Sequence, residues 1–326
     1  MIKHINVKLK LLSNTHSLSN LSFSPHCMVK QHVSILVNEI LEYIPHDAKV
    51  IVDGTFGHGG HTLSFINSRL QSDSNLLIQC YDRDHLVMAR GQARIQEQFP
   101  ILPSHITLDY LTSSYATISD HSPNHWVDFI LLDLGINREH VTDNVRGFSF
   151  QWQGPLDMRF NTTTGKTAYE FIQESSIDDM KRWFVEYGDF TEKRANMFAT
   201  LLHNNKHNED LKTTTWLTKL LHELRISKNE LAPIFQCIRI VTNNEFWHVD
   251  DFISQLDTVL APGGRCAIIS FHSIEDRIIK YHFKNLANDN QYTILTKHVI
   301  KPTRQEVQKN KAARSAKLRI IEKNKS

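Results

Sequence analysis

From Lys49 onward, short apolar runs alternate with amphipathic stretches of helical length. Residues 50–53, 76–81 and 127–132 are apolar-rich runs that close on an aspartate: Asp53, Asp82 and Asp133. Residues 106–108 form a shorter run of the same kind, and residues 60–70 and 84–98 carry helical periodicity. Apolar runs of this length, spaced by helices, predict a parallel sheet covered on both faces.

The alternation stops between about Asn137 and Ile240, where residues 166–174, 178–187, 191–204 and 214–224 read as helices. It resumes with an amphipathic helix over 249–260, a Pro262-Gly263-Gly264 turn and a strand over 265–271. A further helix and strands at 292–295 and 318–321 follow. The pattern predicts an α/β domain in two pieces, 31–136 and 241–326, interrupted by a helical domain over 137–240. No internal repeat is present.

The chain has 326 residues, of which 40% are apolar and 22% charged. That composition excludes collagen, a disulfide scaffold and a wholly disordered chain. No run approaches the roughly 18 apolar residues of a membrane span, so the sequence predicts a soluble protein with no membrane partner. The four cysteines hold no C-x-x-C pair, so no structural zinc or other metal site is predicted and a reducing compartment fits. Charge is uneven. Residues 1–38 carry four lysines and no acid, and residues 297–326 carry seven lysines and three arginines against two glutamates. With a whole-chain charge of +2, residues 39–296 are therefore net −10. A basic tail on an acidic body suits local contact with a polyanion, although a solvated terminus has the same signature. The first 30 or so residues read as a leader: a disordered tail, an organelle presequence, or sequence preceding a start at Met28.

The turn after residues 50–53 reads Asp53-Gly54-Thr55-Phe56-Gly57-His58-Gly59-Gly60-His61. A strand running through glycines into a helix brings backbone and helix N–H groups close to a ligand. The spacing is G-x-x-G-x-G-G and not the dinucleotide G-x-G-x-x-G. Asp82 lies 22 residues after Gly60, where an acid can accept hydrogen bonds from both ribose hydroxyls. Asp133 falls on the same edge. Three strand-terminal carboxylates without a pyrophosphate fingerprint favour S-adenosylmethionine over NAD; the bland alternative treats all three as turn residues.

Five segments carry a resemblance: HVSILVNEIL (32–41), VDGTFGHGGHT (52–62), YDRD (81–84), RGFSFQWQGPLDMRF (146–160) and SFHSIEDRIIK (270–280). FQCIRI (235–240) and RSAKLRI (314–320) match more weakly, in the same order. The chain resembles the bacterial methyltransferases that modify N4 of a cytosine in 16S ribosomal RNA, and their mitochondrial relatives. The resemblance implies a Rossmann-like class I S-adenosylmethionine methyltransferase with an inserted all-helical domain. Its acceptor would be a decoding-region cytosine of small-subunit rRNA, free or in the assembled subunit. It carries cofactor contacts to Gly59, Gly60, His61, Asp82, Asp133 and His140, and to Tyr115 with Tyr110 as competitor. Two departures stand out: Asn137-Arg138 where the family has a small pair, and Gly188-Asp189-Phe190 where it has Gly-Glu-Glu.

Methyl transfer to an exocyclic amine needs collinear nitrogen, methyl and sulfur, and an acceptor for the amine protons. Asp133, or a backbone carbonyl beside it, is the candidate acceptor with the Asn137 amide oxygen as helper; the competing reading leaves Asp133 a cofactor contact only. Arg146 and Arg159 are candidate phosphate contacts, and His272 is a candidate RNA contact with a hydrogen-bonded structural role as its alternative. Phe148, Phe150 and Trp152 are stacking candidates that core packing explains equally well. Arg304, Arg314 and Lys317, with their basic neighbours, are candidate phosphate ligands. Other readings are a DNA or protein methyltransferase, an NAD-dependent dehydrogenase, and an assembly factor without catalysis. The expected location is a bacterial cytoplasm, with a mitochondrion as alternative because of the acid-free leader.

Overall fold

The computed structural model describes residues 33–122 and 126–325. The leader lies outside the described residues. The strands are β1 (Val50–Asp53), β2 (Leu76–Tyr81), β3 (Ile106–Leu111), β4 (Val127–Asp133), β5 (Leu260–Ser270), β6 (Tyr292–Ile294) and β7 (Lys317–Lys323). They form one sheet in the order β3-β2-β1-β4-β5-β7-β6. β1 to β5 run parallel and β7 is antiparallel to both its neighbours. Successive residues of a strand face opposite sides. Accordingly Ile51, Phe129 and Leu131 enter the core on one face of the sheet, and Val52, Ile130 and Leu132 the core on the other. The order reverses between β1 and β4, and the carboxyl ends at such a switch point open into a crevice.

Between β4 and β5 lie the helices Ala168–Glu174, Ile177–Gly188, Glu192–Asn205, Thr214–His222 and Lys228–Asn243. They surround their own core, with Phe184, Phe198, Leu202, Leu217 and Ile234 fully buried. Thr167, Ser176, Thr191 and Thr213 cap four of them through side-chain oxygens.

Two elements differ from the sequence reading. The helix Lys228–Asn243 went unread because Pro233 lies inside it. That proline forfeits one amide bond, but the turn preceding it still forms and the apolar face carries the helix into the core. The Pro262-Gly263-Gly264 stretch is not a turn but the start of β5. It forms an irregularity in the pairing with β4, between Val127 and Phe129. A Cβ on Gly264 would lie 2.8 Å from the Val127 carbonyl oxygen, so the close approach of the strands there requires glycine. No helix of the described residues is long and apolar enough to cross a membrane.

Candidate cofactor and transfer site

The glycine turn is stitched between β2 and β4. The Gly54 amide donates to the Leu131 carbonyl at 2.9 Å and the Phe56 amide to the Tyr81 carbonyl at 2.8 Å. Gly57 and Gly59 adopt φ of +55° and +72°, left-handed conformations that favour glycine. Gly59 thereby delivers the chain into the helix Gly60–Ser68. A Cβ on Gly60 would lie 2.1 Å from Ser34 Oγ, so the segment at 33–36 seats directly on this turn.

The three aspartates gather around it. Asp82 Oδ2 accepts from the Gly57 amide and Oδ1 from the Asp84 amide, both at 2.8 Å. Burial pushes the Asp82 carboxyl up to about 6, against those two hydrogen bonds. Asp53 is fully buried, and its Oδ2 accepts from Thr62 Oγ1 at 2.7 Å. Burial raises its pKa, with the attraction of His61 as the largest opposing influence. The Asp133 amide donates to Thr55 Oγ1 at 2.6 Å, and Asp133 Oδ2 lies 3.5 Å from His61 Nε2. Asp53 Oδ1, Asp133 Oδ1 and both ring nitrogens of His61 are buried without a hydrogen-bond partner in the protein.

Asp84, which the sequence reading passed over, is the structural hub. Its Oδ1 caps the helix His85–Gln98 through the Leu86 and Val87 amides. Its Oδ2 meets His140 Nε2 at 3.0 Å and Arg146 Nη2 at 2.7 Å. The available signal was an aspartate directly before a helical stretch, the pattern of an N-cap. His140 stacks on Phe148, centroids 5.0 Å apart, and keeps one buried ring nitrogen, Nδ1, without a partner. Tyr115 is buried beside the turn: a Cβ on Gly54 would come within 3.1 Å of it, and its ring meets Phe252 edge-on at 5.7 Å. Tyr110 instead packs edge-on against Phe56. Glu139 binds both His58 of the turn and Arg90.

The structure gives several of the expected RNA contacts partners within the protein. The guanidinium of Arg146 is buried and committed to Asp84 and the carbonyls of Arg159 and Phe160. Arg159 is held by both oxygens of Asp157, at 2.8 and 2.7 Å. His272 caps the helix Ser273–Asn288, its Nδ1 accepting from the Glu275 amide and its Nε2 lying 2.8 Å from Glu275 Oε1. Lys317 is tied to Asp276 at 3.1 Å, beside Arg319 at 2.7 Å. Each of these side chains is engaged within the protein. The Asn137 amide oxygen accepts from the His140 amide at 2.9 Å as the cap of Arg138–Thr142. Asp189 ends the helix Ile177–Gly188 and pairs with Arg277 at 2.9 Å. Of the stacking candidates, Phe148 and Phe150 belong to the helical core and Trp152 is exposed. Arg304 and Arg314 are exposed, as are Lys301, Lys309 and Lys311.

S-adenosylmethionine carries two positive centres and a ribose but no phosphate. Carboxylates ending β1 and β4 with unpartnered oxygens at Asp53 and Asp133, Asp82 just beyond β2, and glycines that admit a ligand to the backbone fit that group. The sheet order and this site define a class I S-adenosylmethionine-dependent methyltransferase. The chain belongs to the MraW methylase family, whose model matches residues 29–324. It is 34% identical over 296 residues to the ribosomal RNA small subunit methyltransferase H of Elusimicrobium minutum, covering 90% of this chain and 98% of that one. The protein of the same name from Bdellovibrio bacteriovorus is 34% identical over 310 residues, covering 93% and 89%. That from Leptospira interrogans (strain Fiocruz L1-130) is 32% identical over 306 residues, covering 90% of each.

Proposed function

We propose that this enzyme transfers the methyl group of S-adenosylmethionine to N4 of a decoding-region cytosine in small-subunit ribosomal RNA. The names of the relatives support the RNA class. The observation that carries the chemistry is Asp133, whose Oδ1 is buried and unpaired at the tip of β4. The bound donor supplies an electrophilic methyl on a sulfonium. Asp82 would hold the ribose hydroxyls, and Gly59, Gly60 and His61 would hold the methionine portion. Tyr115 would hold the adenosine portion, and His140, bound to Asp84, stiffens the segment that follows β4. Asp133 accepts a hydrogen bond from the N4 amine, drawing the lone pair out of the ring and receiving the departing proton.

The cytosine enters unstacked, which loop RNA permits at least cost. Trp152, 56% exposed, is the aromatic available to stack on RNA in its segment. Phosphates meet Lys301, Arg304, Lys309, Lys311 and Arg314. This segment stands next to the cofactor turn: Glu306 Oε1 accepts from the Leu36 amide at 2.7 Å, and Asn310 Nδ2 donates to the Val33 carbonyl at 3.2 Å. Residues 33–36 in turn seat on Gly60 through Ser34. Mass mapping of small-subunit rRNA from cells with and without the gene tests the reading. N4-methylcytidine should disappear from one decoding-region position in the deletion strain; its retention there overturns the proposal.

A further inference from the structure

The tip of β4 is held differently at its two edges. In a parallel ladder a residue donates its amide to the neighbouring strand and accepts, through its own carbonyl, from the amide two residues further on. On the side of β5 the pairing runs past the tip. Asp133 pairs in register with Ile269, and the Leu134 amide donates to the Ile269 carbonyl at 3.0 Å. On the side of β1 it breaks. The Gly54 amide donates to the Leu131 carbonyl at 2.9 Å, so the Gly54 carbonyl is the regular partner of the Asp133 amide. The Asp133 amide donates instead to Thr55 Oγ1 at 2.6 Å, a side-chain oxygen standing in for a backbone one. Gly54 lets the turn come this close, since a Cβ there would lie 2.3 Å from the Leu132 side chain. Two residues beyond Asp133, Gly135 takes φ of +104° as the chain leaves the sheet. Among the described residues, Thr55 is therefore the side chain that fixes the β1 edge of this tip, and β-branching leaves its χ1 few choices.

We propose that Thr55 is a positioning residue for methyl transfer, its hydroxyl holding the tip of β4 so that the Asp133 carboxylate meets the acceptor amine. The inference rests on the role given to Asp133 above. A carboxylate that accepts from N4 while nitrogen, methyl and sulfur stay collinear has little angular freedom. A misplacement of about 1 Å can cost on the order of 10²-fold in rate. The Thr55 hydroxyl binds the amide next to the Cα that carries this carboxylate, so a change at Thr55 reorients Asp133 without removing a charge from the site. The same turn leads into His61, whose Nε2 lies 3.5 Å from Asp133 Oδ2. Thr55 exchanges no atoms with substrate or donor and acts through Asp133.

The test compares the full-length protein with Thr55→Val, which keeps the shape and loses the acceptor, and Thr55→Ser, which keeps the acceptor. Single-turnover transfer from methyl-labelled S-adenosylmethionine to small ribosomal subunits lacking the modification is measured with both saturating. S-adenosylhomocysteine affinity is measured by calorimetry on the same proteins. Thr55→Val should transfer about 10–100-fold more slowly, with affinity within about threefold of wild type. Thr55→Ser should recover the rate to within about threefold of wild type. A wild-type rate in Thr55→Val overturns the proposal, as does a Thr55→Ser as slow as Thr55→Val. A rate loss in Thr55→Val matched by an equal loss of affinity also overturns it, because the hydroxyl then serves the turn as a whole. Should Thr55→Val not fold, Thr55→Ala is read in the same way. A wild-type enzyme that methylates no small-subunit RNA, or a fully active Asp133→Asn, overturns the underlying reading and this inference together. A slowed Asp133→Asn beside a wild-type rate in Thr55→Val counts against Thr55 alone.

Discussion

Asp84 and Arg146 meet at 2.7 Å inside the molecule, joining the YDRD motif after β2 to the RGFSF segment after β4. Both side chains are almost wholly buried, and the same carboxylate holds His140. The cofactor rim and the segment leading to the helical insert are thus one rigid piece. Asp84→Ala strands a buried guanidinium and should cost about 3–5 kcal/mol in urea unfolding. Arg146→Ala should cost a comparable amount. Burial raises the Asp84 carboxyl, but hydrogen bonds from His140 and Arg146 outweigh it and hold it well below the usual range. Its contribution is therefore full above about pH 4, the unfolded value, and is lost as pH falls. Urea midpoints measured between pH 7 and pH 3 should begin to draw together for wild type and Asp84→Asn below about pH 4 without meeting, because the folded carboxyl stays ionised there.

Asp82 carries the opposite shift. With its carboxyl pushed up to about 6, the ionised acceptor of the proposed ribose contact is depleted below that pH. Calorimetric affinity for S-adenosylhomocysteine should fall as pH drops through about 6, and Asp82→Asn should be about 10–100-fold weaker with that dependence gone. For the cofactor-free fold the sign reverses. A raised folded value stabilises at low pH, and that stability is lost as pH rises through about 6.

Gly91 shows how tightly the turn is backed. A Cβ there would lie 2.4 Å from the Phe56 ring and 2.6 Å from the Gly57 carbonyl oxygen. Gly91→Ala should cost about 1–3 kcal/mol and weaken cofactor binding, since the turn must move to relieve the clash. Thermal melts with and without S-adenosylhomocysteine check both effects. An alanine variant with unchanged melting and affinity would show that the turn yields freely.

The basic segment makes a prediction about salt. Neutralising Arg304, Lys309, Lys311 and Arg314 to glutamine should flatten the slope of log affinity against log salt by up to about 3, at about 0.7 per phosphate contact on single-stranded RNA. Lys317→Gln should leave that slope unchanged and lower thermal stability slightly, because Lys317 is engaged with Asp276.

Much of this was legible in the chain because β-strand burial is written locally. Asp53, Asp82 and Asp133 end apolar runs, and their convergence follows from parallel strands alone. The partners of Arg146 and His272 were not legible. An arginine in a glycine-flanked loop reads as a phosphate ligand until tertiary packing supplies Asp84, 62 positions away in sequence. Helix Lys228–Asn243 was hidden by Pro233 for a related reason: local propensity opposes it and long-range burial prevails. Asn137 shows the converse, since a cap is visible in sequence once the short helix after it is known.

The most direct test incubates the purified enzyme with methyl-labelled S-adenosylmethionine and small ribosomal subunits from cells lacking it, then resolves the labelled nucleosides by mass spectrometry. The account predicts label in N4-methylcytidine from a single decoding-region site, and its loss in Asp133→Asn with cofactor still bound. Label in another nucleoside, or full transfer by Asp133→Asn, contradicts it.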